Sequence, residues 1–226
     1  MSDNRTREIT CLTPAHIYTA FMAGGESIIS SKDYLNKINV FPVPDADTGT
    51  NLASTMHYIM ENSRLYISLK DTMNSIAESA LLGARGNSGI IFAQFIHGVR
   101  EEISHTRRIS VPEFVNTCRK AVSYLYESVM EPAEGTIITV IEDWAAALEN
   151  HHTEAKDFGE LLKKSLSSAR TSLKNTPQKL KILARHNVVD AGAQGFVNFL
   201  EGIANQISKN KLFLKPAAGA AIGETV

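Results

Sequence analysis

Apolar residues recur at three- and four-residue spacing along most of the chain, in eight separate stretches. These are Pro14–Ser30, Asn51–Asn62, Lys70–Leu82, Ser88–Ile103, Pro112–Val129, Thr136–Asn150, Asp157–Leu173 and Gly195–Ile207. Such spacing gathers apolar side chains on one stripe of a helix, so each stretch predicts an amphipathic α-helix. Thr13 before Pro14 reads as an N-cap followed by a proline in the first turn, where its missing N–H has no helical partner to lose. Val111-Pro112-Glu113 and Thr176-Pro177 read as further helix starts, and a short helix is expected over Gln178–Arg185. No run of alternating β-branched residues is long enough to predict a sheet, and no internal repeat is evident. The pattern predicts an all-α fold, a helical bundle or barrel with short connections.

The flanks differ from this body. Residues 1–12 are mostly polar and are expected to form a flexible segment ahead of a folded unit spanning 13–209. Residues 210–226 include Lys215-Pro216-Ala217-Ala218-Gly219, which lacks amphipathic order and reads as a tail or linker. A linker there carries the expectation of an excised or shortened domain.

Composition narrows the function classes. The 226 residues are 43% hydrophobic and 21% charged, a globular balance that excludes a long disordered protein. No stretch approaches the ~18 apolar residues of a membrane span. The polar start MSDNRTREIT leads into no apolar signal core, so secretion is not expected. With Lys+Arg 23 against Asp+Glu 24, the formal net charge of -1 gives no broad grip on nucleic acid. Cys11 and Cys118 lie far apart in no paired motif. A disulfide framework or thiolate zinc site is therefore not expected, and a reducing cytoplasm is the simplest compartment. The adjacent His151 and His152 point in different directions on a helix and read as surface residues.

Three loops carry candidate chemistry. The first runs Asn39-Val40-Phe41-Pro42-Val43-Pro44-Asp45-Ala46-Asp47-Thr48-Gly49-Thr50-Asn51. Its prolines stiffen the approach to Asp45. In extended chain Asp45 and Asp47 project to one side. At ~4 Å and an effective dielectric of about 20, two such carboxylates repel by on the order of 4 kcal/mol. A divalent cation turns that repulsion into attraction, and hard oxygen ligands favour Mg²⁺ or Ca²⁺. Asn39 could add an amide oxygen. Thr48, Gly49, Thr50 and Asn51 then offer hydroxyls and N–H groups to an anion at a helix start. The competing reading is an Asx-turn and helix cap, for which the two prolines and the T-G-T-N run are not needed.

The second loop is Gly83-Ala84-Arg85-Gly86-Asn87-Ser88-Gly89. Its glycines allow close backbone approach, Asn87 and Ser88 can donate to phosphate oxygens, and Arg85 can neutralise phosphate charge. The plainer alternative is a tight helix–helix turn. It contains neither a P-loop nor a dinucleotide fingerprint. The third is Val188-Val189-Asp190-Ala191-Gly192-Ala193-Gln194-Gly195, where Asp190 reads first as a helix cap and the small residues allow a base or phosphate near the backbone. Glu134-Gly135-Thr136-Ile137 opens another helix and could line the same pocket. In an up-and-down arrangement the connections near 45, 86, 135 and 192 can converge at one mouth.

Read together, INVFPVPDADTGTN, GARGNSG, EGTIITV and VVDAGAQG resemble the DhaL-type nucleotide-binding domain of the dihydroxyacetone kinase family, most closely the ATP-binding subunit of bacterial fatty acid kinase. The likeness runs from about Pro14 to Ser208. It implies an up-and-down eight-helix barrel holding ATP or ADP and two Mg²⁺ ions at one end. Carried over by motif, Asp45 and Asp47, with Asn39, hold metal. Thr48, Gly49, Thr50, Asn51, Asn87 and Ser88 hold phosphates. Thr136, Ile137, Asp190, Ala191 and Gly192 surround the nucleoside, and Arg85 joins Asp45 and Asp47 as a catalytic candidate. Asn39 stands where dihydroxyacetone kinases usually carry a third aspartate, and Thr48 where they usually carry histidine; both favour the fatty acid kinase branch. Ala46 and Ala193 replace usual glycines, and a position needing positive φ would resist the added methyl. The implied activity is phosphorylation of a fatty acid carboxylate presented by a DegV-type fatty-acid-binding partner or fused domain. Dihydroxyacetone phosphorylation and a non-catalytic nucleotide-binding regulatory module are the alternatives, and a homodimer is left open. The chain itself shows no pattern of a long acyl groove.

Overall fold

A computed structural model describes residues 8–127 and 132–208. The long helices are α1 (Pro14–Ser30), α3 (Thr48–Asn62), α4 (Leu69–Gly83), α5 (Gly86–Glu102), α6 (Val111–Ala121), α7 (Ile137–His151), α8 (Phe158–Lys179) and α10 (Ala191–Ser208). Two short helices, α2 (Lys32–Lys37) and α9 (Lys181–His186), lie in connections. Each long helix packs on the next, and α10 closes the ring by packing on both α8 and α1. The expected all-α, up-and-down eight-helix barrel is the fold.

Local chemistry explains the elements. Thr13 caps α1 as its spacing predicts: Oγ1 accepts from His16 N at 3.3 Å, and Pro14 occupies the first turn. Ser110 and Glu113 form the reciprocal capping box of α6. The interior is built from interleaved aromatics. Phe199 meets Phe92 and Phe21 edge-on, at 4.9 and 5.0 Å between ring centroids, and Trp144 meets Phe196 at 5.7 Å. The packing leaves an apolar cavity of about 110 Å³ inside the ring, bounded by residues such as Phe21, Phe92, Cys118 and Ile203. Helical periodicity marks which residues face inward but not whether they meet, so it carried no sign of this space.

Several boundaries differ from the sequence pattern. Thr176-Pro177 is not a helix start; both residues continue α8 to Lys179. Proline cannot donate to the carbonyl of Leu173, and that oxygen accepts from Thr176 Oγ1 at 2.8 Å instead. The stretch expected as one helix over 112–129 ends at Ala121 and tightens into a 3-10 helix over Val122–Glu127; residues 128 and 129 lie outside the described residues. Helix α10 starts at Ala191, four residues before the expected Gly195. Helix α2 was not foreseen, because six residues are too few to show a period. No sheet was expected, yet Cys11–Leu12 pairs antiparallel with Ile109–Ser110. This ladder and Ile9, which is buried and exchanges backbone bonds with Asp157 Oδ2 (3.2 Å) and Phe158 N (2.9 Å), pin the end of the segment expected to be flexible. The tail over 210–226 lies outside the described residues.

Candidate functional site

The N-terminal ends of α3, α5, α7 and α10 gather at one end of the barrel, as the alternation of connections predicts. A cleft of about 180 Å³ opens there, lined by Asn39, Pro42, Val43, Asp45, Asp47, Thr48 and Asn51 from the first loop and by Gly86, Asn87 and Ser88 from the second. Two segments separated by some forty residues of sequence thus form one site. Their junction is tight: Asn51 Nδ2 lies 2.4 Å from where a Cβ on Gly86 would stand, and Gly86 has φ +62. Only glycine meets both demands.

The acidic loop is held by Asn39, which is 5% exposed. Its Oδ1 accepts from the Thr48 hydroxyl and from Thr48 N at 3.3 Å. Its Nδ2 donates to Val43 O at 2.8 Å and to Asp45 Oδ1 at 3.2 Å. The amide therefore braces the loop and turns its N–H side, not its oxygen, to Asp45. Asp45 and Asp47 are both exposed. The chain between them is not extended: Ala46 has φ +56, in the left-handed region. The two carboxylates reach the same cleft through this turn rather than through strand-like alternation.

Asp47 occupies the N-cap position of α3 but makes no side-chain cap bond. Asn36, on α2, supplies the cap instead: its Oδ1 accepts from Thr50 N at 2.9 Å, and its Nδ2 donates to Thr50 Oγ1 at 2.9 Å. Asp47 is thereby left for other work, while Thr50 is committed to Asn36 rather than to the cleft. Gly49 also faces α2, since a Cβ there would stand 2.1 Å from Lys32 O. Sequence reading missed Asn36. Thr55 was missed too; its Oγ1 accepts from Arg85 N at 3.1 Å and so ties the second loop to α3. Neither lies in a motif, and only tertiary contact reveals them.

The Arg85 guanidinium lies outside the cleft lining. It donates to Leu82 O at 3.3 Å and Ala84 O at 2.8 Å, closing the C-terminal end of α4. The third loop adjoins the cleft through Ser88, whose Oγ lies 2.7 Å from where a Cβ on Gly192 would stand; Ile137 Cβ lies 3.4 Å from the same point. Thr136 donates to Ala133 O at 2.8 Å and directly precedes α7. Asp190 is 5% exposed and caps α10, with Oδ2 accepting from Ala193 N at 2.8 Å. Further backbone bonds come from Ile137 and Gly192, so one carboxylate joins the starts of α7 and α10. Burial outweighs these bonds and pushes its pKa up to about 6. Ala191 and Gly192 form the first turn of α10. Ala193 has no positive φ and is fully buried, so its methyl group does not strain the loop.

The donor set in the cleft is carboxylate, hydroxyl and amide. Among the described residues no group of three or more His, Cys, Asp or Glu side chains stands ready for a metal. Two exposed carboxylates beside hydroxyls fit Mg²⁺, which takes one or two carboxylates, keeps several waters and shares phosphate oxygens. They do not fit zinc, which prefers nitrogen and sulfur.

A closed ring of helices with an acidic loop and helix N-termini at one end defines a class, and comparison with known proteins gives the family. The profile of the DAK2 domain matches residues 42–205, and the chain belongs to this family. An uncharacterized protein of Staphylococcus epidermidis is 34% identical over 191 residues, covering 84% of this chain and 35% of the relative. An uncharacterized MG369 homolog of Mycoplasma pneumoniae is 35% identical over 189 residues, covering 80% and 34%. The chain thus spans about a third of the length of the curated relatives it matches. The dihydroxyacetone kinase of C. freundii superposes with a TM-score of 0.62 at 15% identity, over 91% of this chain and 37% of that enzyme. The same kinase in complex with AMP-PNP and Mg²⁺ gives 0.60 over 91% and 36%. At that identity the likeness establishes the fold. Among the described residues no helix is long and apolar enough to cross a membrane.

Proposed function

We propose that the cleft binds Mg-ATP, with two Mg²⁺ ions, and that the chain is the nucleotide-binding part of a kinase that phosphorylates a fatty acid carboxylate presented by a DegV-type partner or domain. The observation that carries this reading is that Asp45 and Asp47, exposed and not spent on capping α3, share one cleft with the first turn of α5. The C. freundii kinase of the same fold was solved with AMP-PNP and Mg²⁺, which supports the nucleotide assignment.

Bound Mg²⁺ would supply positive charge that offsets the charge of the phosphates. Asp45 and Asp47 hold it, and Asn39 keeps the loop that carries them in place. Asn87 and Ser88 donate to phosphate oxygens from a helix start whose dipole favours negative charge. Thr48, whose hydroxyl and N–H go to Asn39, holds the acidic loop to α3. Ile137 and the first turn of α10 border the nucleoside. A carboxylate acceptor is already ionised near neutral pH, so positioning and charge neutralisation are what the mouth must supply. Asn39 and Thr48 at the positions where the glycerone branch differs support the fatty acid branch.

Calorimetric titration of Mg-ATP tests the site. The double variant Asp45→Asn with Asp47→Asn should lose Mg²⁺-dependent binding while its helical circular dichroism stays unchanged. Retained affinity overturns the metal assignment. ADP release measured with fatty acid plus a DegV-type protein, against dihydroxyacetone plus its substrate-binding subunit, tests the acceptor. Release with dihydroxyacetone alone assigns the glycerone branch. Binding without turnover in either arm assigns a regulatory module.

A further inference from the structure

The stretch 161–189 contains no Asp or Glu, although the chain as a whole nearly balances its charges, with Lys+Arg 23 against Asp+Glu 24. Two of its cations have partners: Lys164 pairs with Glu160 at 3.1 Å and Arg170 with Glu201 at 2.8 Å. Beyond them the C-terminal part of α8 and all of α9 present Lys174, Lys179, Lys181 and Arg185, each exposed and none in an ion pair among the described residues.

This basic segment stands at the mouth of the barrel. Lys179 Cβ and Leu180 Cβ lie 2.9 and 3.2 Å from where a Cβ on Gly135 would stand, so the end of α8 rests on the turn that opens α7. Thr176 Oγ1 accepts from Asp190 N at 3.2 Å, which ties the same end of α8 to the start of α10. Val188 N bonds Leu183 O at 3.1 Å, so α9 is fastened to the loop that carries Asp190. Lys179, Lys181 and Arg185 therefore rim the end of the barrel at which the acidic cleft opens. Glu134, beside Gly135, is an exposed carboxylate next to this rim.

The rim answers a physical difficulty. A cleft lined by Asp45 and Asp47 repels a polyphosphate until a cation is in place, and a Mg-nucleotide retains net negative charge. Unpaired surface cations beside such a mouth raise the local concentration of an incoming anion without touching it once bound, and they raise on-rates more than affinities. We infer that Lys179, Lys181 and Arg185 form an electrostatic guide that draws the nucleotide polyphosphate into the acidic cleft. The inference rests on the Mg-nucleotide reading of that cleft.

Stopped-flow association of a fluorescent ATP analogue with Mg²⁺ tests it on the whole chain. The triple variant Lys179→Gln, Lys181→Gln, Arg185→Gln should associate about three- to tenfold more slowly at low ionic strength, with its dissociation rate unchanged. The gap should close near 1 M salt, where the screening length falls to about 3 Å. Lys163 lies sixteen residues earlier on α8, about 24 Å along the axis, so Lys163→Gln should associate at the wild-type rate. Should the triple variant fold poorly, the wild-type rate alone decides, since guidance requires it to fall steeply with salt. Association rates equal to wild type at low salt, or a loss confined to the dissociation rate, would overturn the guide and leave the rim to an acidic protein surface or to direct contact. A wild-type chain that binds no Mg-nucleotide overturns the Mg-nucleotide reading itself, a result distinct from normal binding without salt-sensitive guidance.

Discussion

The Ser88 hydroxyl lies 2.7 Å from the point where a Cβ on Gly192 would stand, so the first turns of α5 and α10 meet with no room for one more methyl group. Asp190 Oδ2 and Ile137 Cβ close the same point at 3.3 and 3.4 Å. Gly192→Ala must displace Ser88 or part the two helices, and overpacking of this kind costs about 1–3 kcal/mol. We expect a matching loss in urea unfolding and at least tenfold weaker Mg-ATP binding by calorimetry. Adding Ser88→Ala removes the clashing oxygen and should recover the stability, but not the affinity if Ser88 serves phosphate. Full stability in Gly192→Ala alone would show that the contact is soft.

Ala46 is held at φ +56 between the two aspartates. A side chain in that region costs roughly 1–2 kcal/mol, and replacing alanine by glycine returns about 0.4–1 kcal/mol of freedom to the unfolded chain. The balance favours Ala46→Gly by about 0.5 kcal/mol, a rise of about 1–2 °C in Tm for a chain of this size. Scanning calorimetry checks this. A fall in Tm would mean that the methyl group makes a favourable contact outweighing the strain.

The long helices were legible because each buries one face, and burial writes its period into the sequence. Pro14–Ser30 was placed to the residue, with its cap, since Thr13 and Pro14 mark the start by local chemistry alone. Pro177 misled because a proline in a helix interior looks like a start unless the freed carbonyl of Leu173 is known to find Thr176. The residues of the cleft were legible as motifs; their roles were less so. Asn39 reads as a metal ligand but its oxygen is taken by Thr48. Arg85 reads as a phosphate partner but its guanidinium caps α4. Both outcomes turn on which neighbour a side chain meets across the fold, which spacing along the chain does not encode.

Asp190 sets a pH dependence whose sign is fixed. Its pKa is raised from 3.8 to about 6 in the folded state, chiefly by burial. Between those values the folded protein holds a proton that the unfolded chain has released, so stability falls as pH rises through the window. The fall amounts to about 3 kcal/mol once the group is ionised in both states. Asp190→Asn carries no such titration. The stability of the wild type relative to this variant should therefore decline from pH 4 to pH 7, as read by urea unfolding at several pH values. A constant difference across that range would show that the backbone donors of Ile137, Gly192 and Ala193 offset the burial.

Asn36 relieves Asp47 of capping α3, and removing it should be felt at the proposed Mg²⁺ site as well as in the fold. Asn36→Ala takes away both bonds to Thr50, leaving its N–H in the first turn of α3 without that acceptor. Loss of an N-terminal cap costs about 0.5–2 kcal/mol. The nearest replacement is Asp47, already at the N-cap position. If its carboxylate turns to Thr50, it leaves the cleft, and the proposed Mg²⁺ site loses one of its two carboxylates. The variant should lose about 1 kcal/mol of stability, and the Mg²⁺ concentration needed for nucleotide binding should rise several-fold. Asn36→Asp keeps an acceptor for Thr50 N and should restore most of the Mg²⁺ dependence. An unchanged Mg²⁺ requirement in Asn36→Ala, with stability reduced, would confine Asn36 to helix capping and show that Asp47 does not move.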